Sequence, residues 1–225
     1  MLKPSRKILR KEIKKDPLLD YLEKIENGFE ENRKTIINVL IFFVAIIITG
    51  SIYVNNQNDI ELESRSAFGA ALVAYSNSDY DNAKFQFESI SSNYEGTENE
   101  ILSNYYLGKI AYDLGKFDEA KFLLNDFLDN TEKATYVCGA IKCLVDISFN
   151  ENDFLKSLDI IAIANNFNIN NASRLELQLL KIDTLIKMND LQGAKTEVGK
   201  ILNSKNLPSH INQKINEFEG MLSAF

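Results

Sequence analysis

The sequence has few of the side chains that catalysis and metal binding most often use. Its 225 residues include one histidine, two cysteines and no tryptophan. With His210 as the only histidine, no multi-histidine metal site and no histidine-based triad can be assembled. The ten glycines are scattered and form no phosphate-binding loop. We therefore predict that the protein is not an enzyme and that it has no catalytic, cofactor-binding or metal-binding residues.

The two cysteines do not form an obvious pair. Cys138 and Cys143 are five positions apart on one predicted helix, so their side chains point to different faces and are too far apart for an unstrained disulfide. They also lack the spacing of metal ligands. Two interpretations stay open, namely buried thiols and an intermolecular disulfide in an oxidising compartment.

Proline is rare, and its positions are informative. The only prolines are Pro4, Pro17 and Pro208, and all three lie outside residues 64–203. Because proline interrupts helices, that stretch is free to form long uninterrupted ones.

A period of 37 residues runs through this proline-free stretch. Small residues recur at this spacing, and large apolar residues recur three positions before and four positions after them. The small residues are Ala83, Ala120, Ser157 and Ala194. The large ones are Tyr80, Phe117, Phe154 and Leu191, followed by Phe87, Leu124, Ile161 and Val198. A small side chain one turn into a helix allows a second helix to approach closely.

Two further columns predict a turn before each of these helices. One column is polar, and the column before it holds residues that tolerate a left-handed backbone. The polar column is Asp79, Lys116, Asp153 and Asp190. The column before it is Ser78, Gly115, Asn152 and Asn189. Each unit therefore predicts helix, short turn, helix, and a fixed period of this length indicates a solenoid.

The pattern resembles the tetratricopeptide repeat over residues 64–203. The Leu-Gly pair that the family has in its first helix is present as Leu107-Gly108 in the second unit. The corresponding pairs elsewhere are Ala70-Ala71, Leu144-Val145 and Lys181-Ile182. The resemblance implies antiparallel helix pairs stacked into a right-handed superhelix. We therefore expect an all-α fold, with an α-solenoid of about four helix pairs plus a capping helix.

The same resemblance implies that the first helix of each unit lines a concave side. Positions exposed there are candidate protein-binding residues, and they combine rings with single charges, as peptide-binding surfaces do. They are Phe68, Leu72, Tyr75, Tyr105, Lys109, Tyr112, Lys142, Asp146, Phe149, Leu179 and Asp183. Because Tyr75, Tyr112 and Phe149 recur at one repeat position, packing is the alternative interpretation for them. The Lys, Arg and Asn set of the family's carboxylate clamp is not found.

A long uncharged segment precedes the repeats. Residues 35–58 carry no charge, and residues 36–54 are almost continuously Ile, Val, Leu and Phe. A helix needs roughly 20 such residues to cross about 30 Å of hydrocarbon. Arg33 and Lys34 precede the run and Tyr53 lies near its far end, as expected of interfacial anchors. We predict a single membrane span, with a cleaved signal peptide as the alternative.

Charge predicts the orientation of this span. Residues 1–34 hold ten Lys or Arg against seven Asp or Glu, whereas residues 59–225 hold 15 against 25. The positive-inside tendency places the N-terminus in the cytosol and the repeats on the other side of the membrane. The acidic outer part makes nucleic acid an improbable ligand and favours basic or unfolded protein partners.

The segment before the span is basic and then amphipathic. Its first 15 residues hold seven positive charges, at Lys3, Arg6, Lys7, Arg10, Lys11, Lys14 and Lys15. Such a patch fits an orientation signal that also contacts anionic lipid headgroups, or the docking of a cytosolic or ribosomal partner. Nucleic-acid binding is a further alternative, but no recognition motif accompanies the charge. Asp16-Pro17 predicts a helix start, and an apolar stripe follows at Leu18, Leu19, Leu22, Ile25 and Phe29.

These features divide the chain into four parts. We predict a cytosolic tail at 1–34, a span with its polar exit at 35–58, repeats at 59–207 and a capping helix at 208–225. The expected units lie near 64–100, 101–137, 138–174 and 175–207. Asn55 to Asp59 form the expected polar link, and the apolar stripe of the last helix is Ile211, Ile215, Phe218 and Leu222. A partner-binding role is the alternative to capping for that helix.

The order of these parts resembles the ancillary tetratricopeptide subunit family of the bacterial Sec translocon. The matching segments are Glu31-Asn32-Arg33-Lys34, Asn55-Asn56-Gln57, Ser64-Arg65-Ser66-Ala67 and Lys214-Ile215-Asn216. This resemblance implies an inner-membrane protein with periplasmic repeats, a scaffold that links the translocon to periplasmic chaperones or exported clients. The alternatives are a scaffold of another envelope machine, such as cell-wall synthesis or secretion, a structural homo-oligomer, and an enzymatic or small-ligand role.

Overall fold

The computed structural model describes residues 17–203 and 207–223, all of them helical or in connecting turns. The chain divides into two compact units, Met1–Gln57 and Asn58–Phe225. The basic residues at positions 3–15 and the Asp16 cap lie outside the described residues, as do the side chains of Leu18, Leu19, Ile25 and Phe29.

The first unit contains one described element, the N-terminal part of helix α1 (Pro17–Ser76). Within it, the stretch beginning at Asn32 is long and apolar enough to cross a membrane by length and composition. A signal sequence passes the same test, but a core helix of a soluble protein is mostly buried, and none of the most apolar window here is. The side chains from Ile37 to Val54 are exposed.

The polar link predicted at Asn55 to Asp59 is helical and belongs to α1. Asn, Gln and Asp lower the hydropathy of this segment, but each costs well under 1 kcal/mol in a helix, and neither Gly nor Pro interrupts it. The change in polarity therefore carries no change in backbone conformation.

The second unit consists of helix pairs. The last part of α1 pairs with α2, and three pairs and a final helix follow among the described residues. Their bounds are α2 (Tyr80–Asn93), α3 (Glu98–Asp113), α4 (Phe117–Asn130), α5 (Ala134–Asn150), α6 (Phe154–Ala162), α7 (Asn171–Lys187), α8 (Leu191–Leu202) and α9 (Ser209–Ser223). No β-strand occurs in residues 17–203 or 207–223. The all-helical class predicted from the repeats is confirmed.

Each pair is joined by the same turn. The four residues of the predicted turn column, Ser78, Gly115, Asn152 and Asn189, have positive φ angles of 59°, 72°, 58° and 61°. In the first turn, the Ser78 amide donates to the Tyr75 carbonyl and the Asp79 amide donates to the Ala74 carbonyl, both at 3.0 Å. The same two bonds recur in the other three turns. This is the Schellman helix ending, in which one left-handed residue satisfies the last carbonyls of a helix.

The residue after each left-handed position starts the next helix. Asp79, Asp153 and Asp190 each accept a hydrogen bond from the amide three residues later, as N-caps do. Such a cap contributes about 1 kcal/mol. Lys116, at the same position of the second unit, makes no side-chain cap bond.

The small-residue column lies where the helices of a pair approach. Ala83, Ala120, Ser157 and Ala194 are all fully buried at 0% exposure. Ser157 keeps its hydroxyl paired by donating to the Asp153 carbonyl at 3.1 Å. In the second pair, a Cβ added to Gly108 would lie 2.7 Å from Leu124 Cγ, so α3 and α4 meet at a position where only glycine fits.

The third pair departs from the others. Its second helix, α6, has 9 residues, whereas α2 and α4 have 14 each and α8 has 12. After Ala162 the chain tightens into a short 3-10 helix, Ile163–Asn166, before α7 begins. The shortened helix leaves an open space beside α7 and α8.

The final helix buries the face that the sequence predicts. Ile211, Ile215, Phe218 and Leu222 are at most 3% exposed and pack with residues of α7 and α8. The apolar end of the last helix pair is therefore covered by α9.

Candidate protein-binding surface

The predicted binding residues lie on the first helix of each pair. Phe68, Leu72 and Tyr75 are on α1, and the remaining eight are on α3, α5 and α7. Their exposure differs. Lys142 and Asp146 are exposed, whereas Leu72, Tyr75, Lys109, Tyr112, Phe149, Leu179 and Asp183 are half-buried.

Phe68 and Tyr105 correct the predicted surface, because each side chain is only 7% exposed and lies in the core. The Phe68 ring packs against Phe87 at a centroid distance of 5.5 Å. The Tyr105 ring packs against Phe127 and Tyr136, both at 5.2 Å. Stacking covers a first helix on two sides, by its own partner helix and by the next pair, so a position next to an exposed one can be enclosed.

The recurring rings at Tyr75, Tyr112 and Phe149 pack across the turn of their own pair. Each ring contacts the first residue of the second helix, Tyr80 at 5.7 Å, Phe117 at 6.2 Å and Phe154 at 5.7 Å. Tyr75 also contacts Tyr106 of the next pair at 5.2 Å. Because the rings remain half-exposed, packing and partner contact are compatible at these positions. Their predicted role in binding stays a prediction.

Lysine side chains lie over several of these rings. Lys109 Nζ is 5.9 Å from the centroids of both Tyr75 and Tyr105, and Lys187 Nζ is 5.2 Å from that of Phe149. A cation this close to a ring face gains about 0.5–1 kcal/mol at an exposed site. These contacts hold ammonium groups at the surface without neutralising them.

A hydrogen bond and an ion pair connect the first helices of successive pairs. The Tyr112 hydroxyl donates to Asp146 Oδ2 at 2.5 Å, which joins α3 to α5. The bond to this carboxylate raises the pKa of the Tyr112 phenol, so the ring stays neutral. Lys142 pairs with Glu176 and joins α5 to α7. The surface is thus held in one arrangement before any partner arrives, which lowers the entropic cost of binding.

We name six of these exposed and half-buried residues the first-helix face, namely Tyr75, Lys109, Tyr112, Lys142, Asp146 and Phe149. It combines three rings with two cations and one carboxylate. Rings give a large contact area at low entropic cost, and isolated charges fix the orientation of a partner. The arrangement is therefore chemically suited to holding a polypeptide.

The cysteines and the histidine lie on different helices, the cysteines on α5 and the histidine on α9. Both cysteines are free, with Cys138 buried and Cys143 half-buried, and burial raises the pKa of each thiol. His210 is exposed in the first turn of α9. In the part of the chain that the structure describes, no group of three or more His, Cys, Asp or Glu could hold a metal ion.

Sequence reasoning missed two exposed rings on the second helices. Phe85 on α2 is 70% exposed and Phe122 on α4 is 72% exposed. They are 37 residues apart, so the same column analysis that located the small residues could have paired them. Lys84 Nζ bonds Glu119 at 2.8 Å beside them and ties α2 to α4.

Stacked helix pairs with identical turns, a buried small residue in each pair and a covering last helix define a helical-repeat protein of the solenoid class. A family model described as a tetratricopeptide repeat-like domain matches residues 28–216. The match covers most of the chain, and the protein therefore belongs to this family of tetratricopeptide repeat-like proteins. No curated protein and no solved structure matches the chain.

Proposed function

We propose that this protein is a membrane-tethered scaffold of the cell envelope that holds other proteins through its repeats. The family supplies the first part of the argument, since tetratricopeptide-like repeats bind protein partners. The first-helix face supplies the second, because its rings and single charges are fixed in place by contacts within and between pairs.

The membrane anchor is part of the proposal. The apolar side chains of Ile37 to Val54 are exposed to a degree that only lipid or another apolar partner would favour. The family model begins at residue 28 and therefore includes this stretch. The excess of basic residues before the run and of acidic residues after it favours repeats on the outer side of the inner membrane.

The partner that we propose is the protein-export translocon together with periplasmic chaperones or exported clients. The support is the order of parts, namely a basic tail, a single span and acidic outer repeats. The acidic balance favours basic or unfolded polypeptides by long-range attraction. A scaffold of another envelope machine has the same order of parts, so the test must identify the partner itself.

Photo-crosslinking in living cells tests this proposal. A photoreactive amino acid replaces Lys109 on the first-helix face, and a matched control replaces Lys195, an exposed lysine on α8 away from that face. We expect adducts of position 109, but not of position 195, to contain translocon or periplasmic chaperone subunits. Adducts with a different envelope machine would refute the translocon role and keep the scaffold. A ladder of self-adducts, matched by a multiple of the chain mass in mild detergent, would instead indicate a structural homo-oligomer.

A further inference from the structure

The shortened helix α6 creates a cavity that the repeat pattern does not predict. Where α2 and α4 continue for five more residues, the third pair turns into the 3-10 helix Ile163–Asn166 and a loop. The space left beside α7 and α8 is a cavity of about 540 Å³, open to solvent. Cavities of about 300–1,000 Å³ are the usual size for bound ligands.

The inner wall of this cavity is apolar. Ile161, Ile169 and Leu177 line it and are 8%, 7% and 3% exposed. Phe167 and Ala164 extend the same wall. An apolar side chain that binds here would stabilise the complex by about 25 cal/mol for each Å² of apolar surface removed from water.

The lining of the cavity also carries charge, with a pair of lysines sharing one buried carboxylate. Lys181 Nζ and Lys200 Nζ each lie 2.8 Å from the same oxygen, Glu197 Oε1. The Glu197 side chain is only 10% exposed, and although burial favours its neutral form, the two lysine bonds lower its pKa below the ordinary value. One carboxylate thus faces two ammonium groups, and each ammonium has three donors.

A third cation lies at the same cavity. Arg174, on the first turn of α7, is exposed, and in residues 17–203 and 207–223 it has no carboxylate partner within ion-pair distance. Counting Asp159 and Glu197, the lining carries three positive and two negative side chains. Residues 59–225 as a whole carry 15 basic against 25 acidic residues, so this cavity has the opposite sign to its domain. A local positive balance in an acidic domain favours an anionic ligand over a cationic one.

We propose that this cavity binds a peptide segment in which an acidic side chain is adjacent to an apolar one. The apolar residue lies on Ile161, Ile169 and Leu177, and the carboxylate pairs with the Arg174 guanidinium in the bidentate manner that arginine allows. Lys181 and Lys200 contribute their remaining donors, and Glu197 holds them in place. This inference deepens the proposed scaffold function by adding a second contact site with its own selectivity, away from the first-helix face.

The test uses the full chain in mild detergent and three fluorescent hexapeptides, acetylated and labelled at the N-terminus. The first has alternating Leu and Glu and an amidated C-terminus, the second replaces each Glu with Gln, and the third is the Gln peptide with a free C-terminal carboxylate. Fluorescence anisotropy measures the Kd of each. We expect saturable binding of the Glu peptide, weakening with added salt, and at least fivefold weaker binding of the Gln peptide.

Variants locate the binding. Arg174→Gln removes one exposed cation and is expected to weaken binding of the Glu peptide about fivefold or more. Lys195→Gln removes the same charge from an exposed position outside the cavity, and its Kd is expected to stay within about twofold. Circular dichroism of both variants is the check that they keep the helical content of the parent.

Three results would overturn the proposal. The first is equal affinity for the Glu and Gln peptide amides, and the second is equal weakening of Glu-peptide binding by Arg174→Gln and Lys195→Gln. The third is tight binding of the free-carboxylate peptide alone, which would show that the cavity recognises chain ends. Each of these leaves the crosslinks from position 109 unaffected, so failure of this inference is distinct from failure of the scaffold proposal.

Discussion

Alanine substitutions at Gly115 and Gly69 test whether the turn between α3 and α4 needs a left-handed residue. Gly115 has a φ angle of 72° in the turn between α3 and α4, and a Cβ added there meets no atom within 4 Å. Gly69 lies in the interior of α1, and a Cβ added there also meets nothing within 4 Å. The same chemical change, without a steric clash in either case, therefore tests the backbone alone.

The two substitutions are expected to act in opposite directions. An alanine forced into the left-handed region costs about 1–2 kcal/mol, so Gly115→Ala should lower stability by at least about 1 kcal/mol. An alanine in a helix interior is about 0.5–1 kcal/mol better than glycine, so Gly69→Ala should raise stability by that amount. For a chain of this size, 1 kcal/mol corresponds to about 2–4 °C in Tm.

Thermal unfolding followed by far-UV circular dichroism in mild detergent measures both shifts. We expect Tm to fall for Gly115→Ala and to rise for Gly69→Ala. If Gly115→Ala raised Tm as Gly69→Ala does, position 115 would have to be right-handed helical. The Schellman turn, and with it the separation of α3 from α4, would then be refuted.

Three further predictions follow from packing and charge. Ala120→Leu adds atoms at a position with 0% exposure and should lower the free energy of unfolding, measured in urea, by about 1–3 kcal/mol. Phe122→Leu, at a position 72% exposed on the same helix, should change it by less than about 0.5 kcal/mol. Equal effects would contradict the burial of the small-residue column. Glu197→Gln should cost about 1–2 kcal/mol at pH 7. The lysine bonds lower the folded-state pKa of Glu197, so the stability that its carboxylate contributes is fully present above the ordinary pKa of 4.5 and is lost as pH falls through the lower folded value. The stabilities of parent and variant should therefore converge in acid. A difference that does not depend on pH would refute the charge argument. Cys138, buried and with its thiol pKa raised by that burial, should react with iodoacetamide far more slowly in the folded chain than in urea, and equal rates would show that it is exposed.

The features that the sequence predicts well are those fixed by local physics and repeated four times. Gly and Asn tolerate a left-handed backbone best, so Gly115, Asn152 and Asn189 identify three of the turns directly, and the period of 37 residues locates the fourth at Ser78. The sequence predicts the column of small residues equally well, because a close contact between two helices excludes large side chains in every pair.

The features that it predicts poorly depend on neighbours distant in the chain. Burial of Phe68 and Tyr105 is set by rings on other helices, such as Phe87 and Tyr136, and a period alone does not give these distances. The end of α6 at Ala162 has no proline or glycine signal, since residues 163–166 are Ile, Ala, Asn and Asn. The cavity that follows from this early end could therefore not be inferred from composition or spacing.

Polarity was also a poor guide to the backbone between the apolar run and the repeats. Asn55 to Asp59 mark a change from apolar to polar residues in the sequence, yet they stay helical because each residue forms the same backbone hydrogen bonds as its neighbours. Hydropathy and helix propensity are separate properties, and only the first changes here.

Protease accessibility of membrane-bound protein tests the central claim most directly. Spheroplasts carrying the chain with an N-terminal and a C-terminal tag are treated with protease from outside, and a parallel sample is extracted with alkaline carbonate. We predict that the C-terminal tag and the repeats are digested, that a small fragment with the N-terminal tag is protected, and that the untreated chain stays in the carbonate pellet. Release of the chain by carbonate, or repeats that resist the protease until the membrane is opened, would contradict an outward-facing scaffold held by residues 35–58.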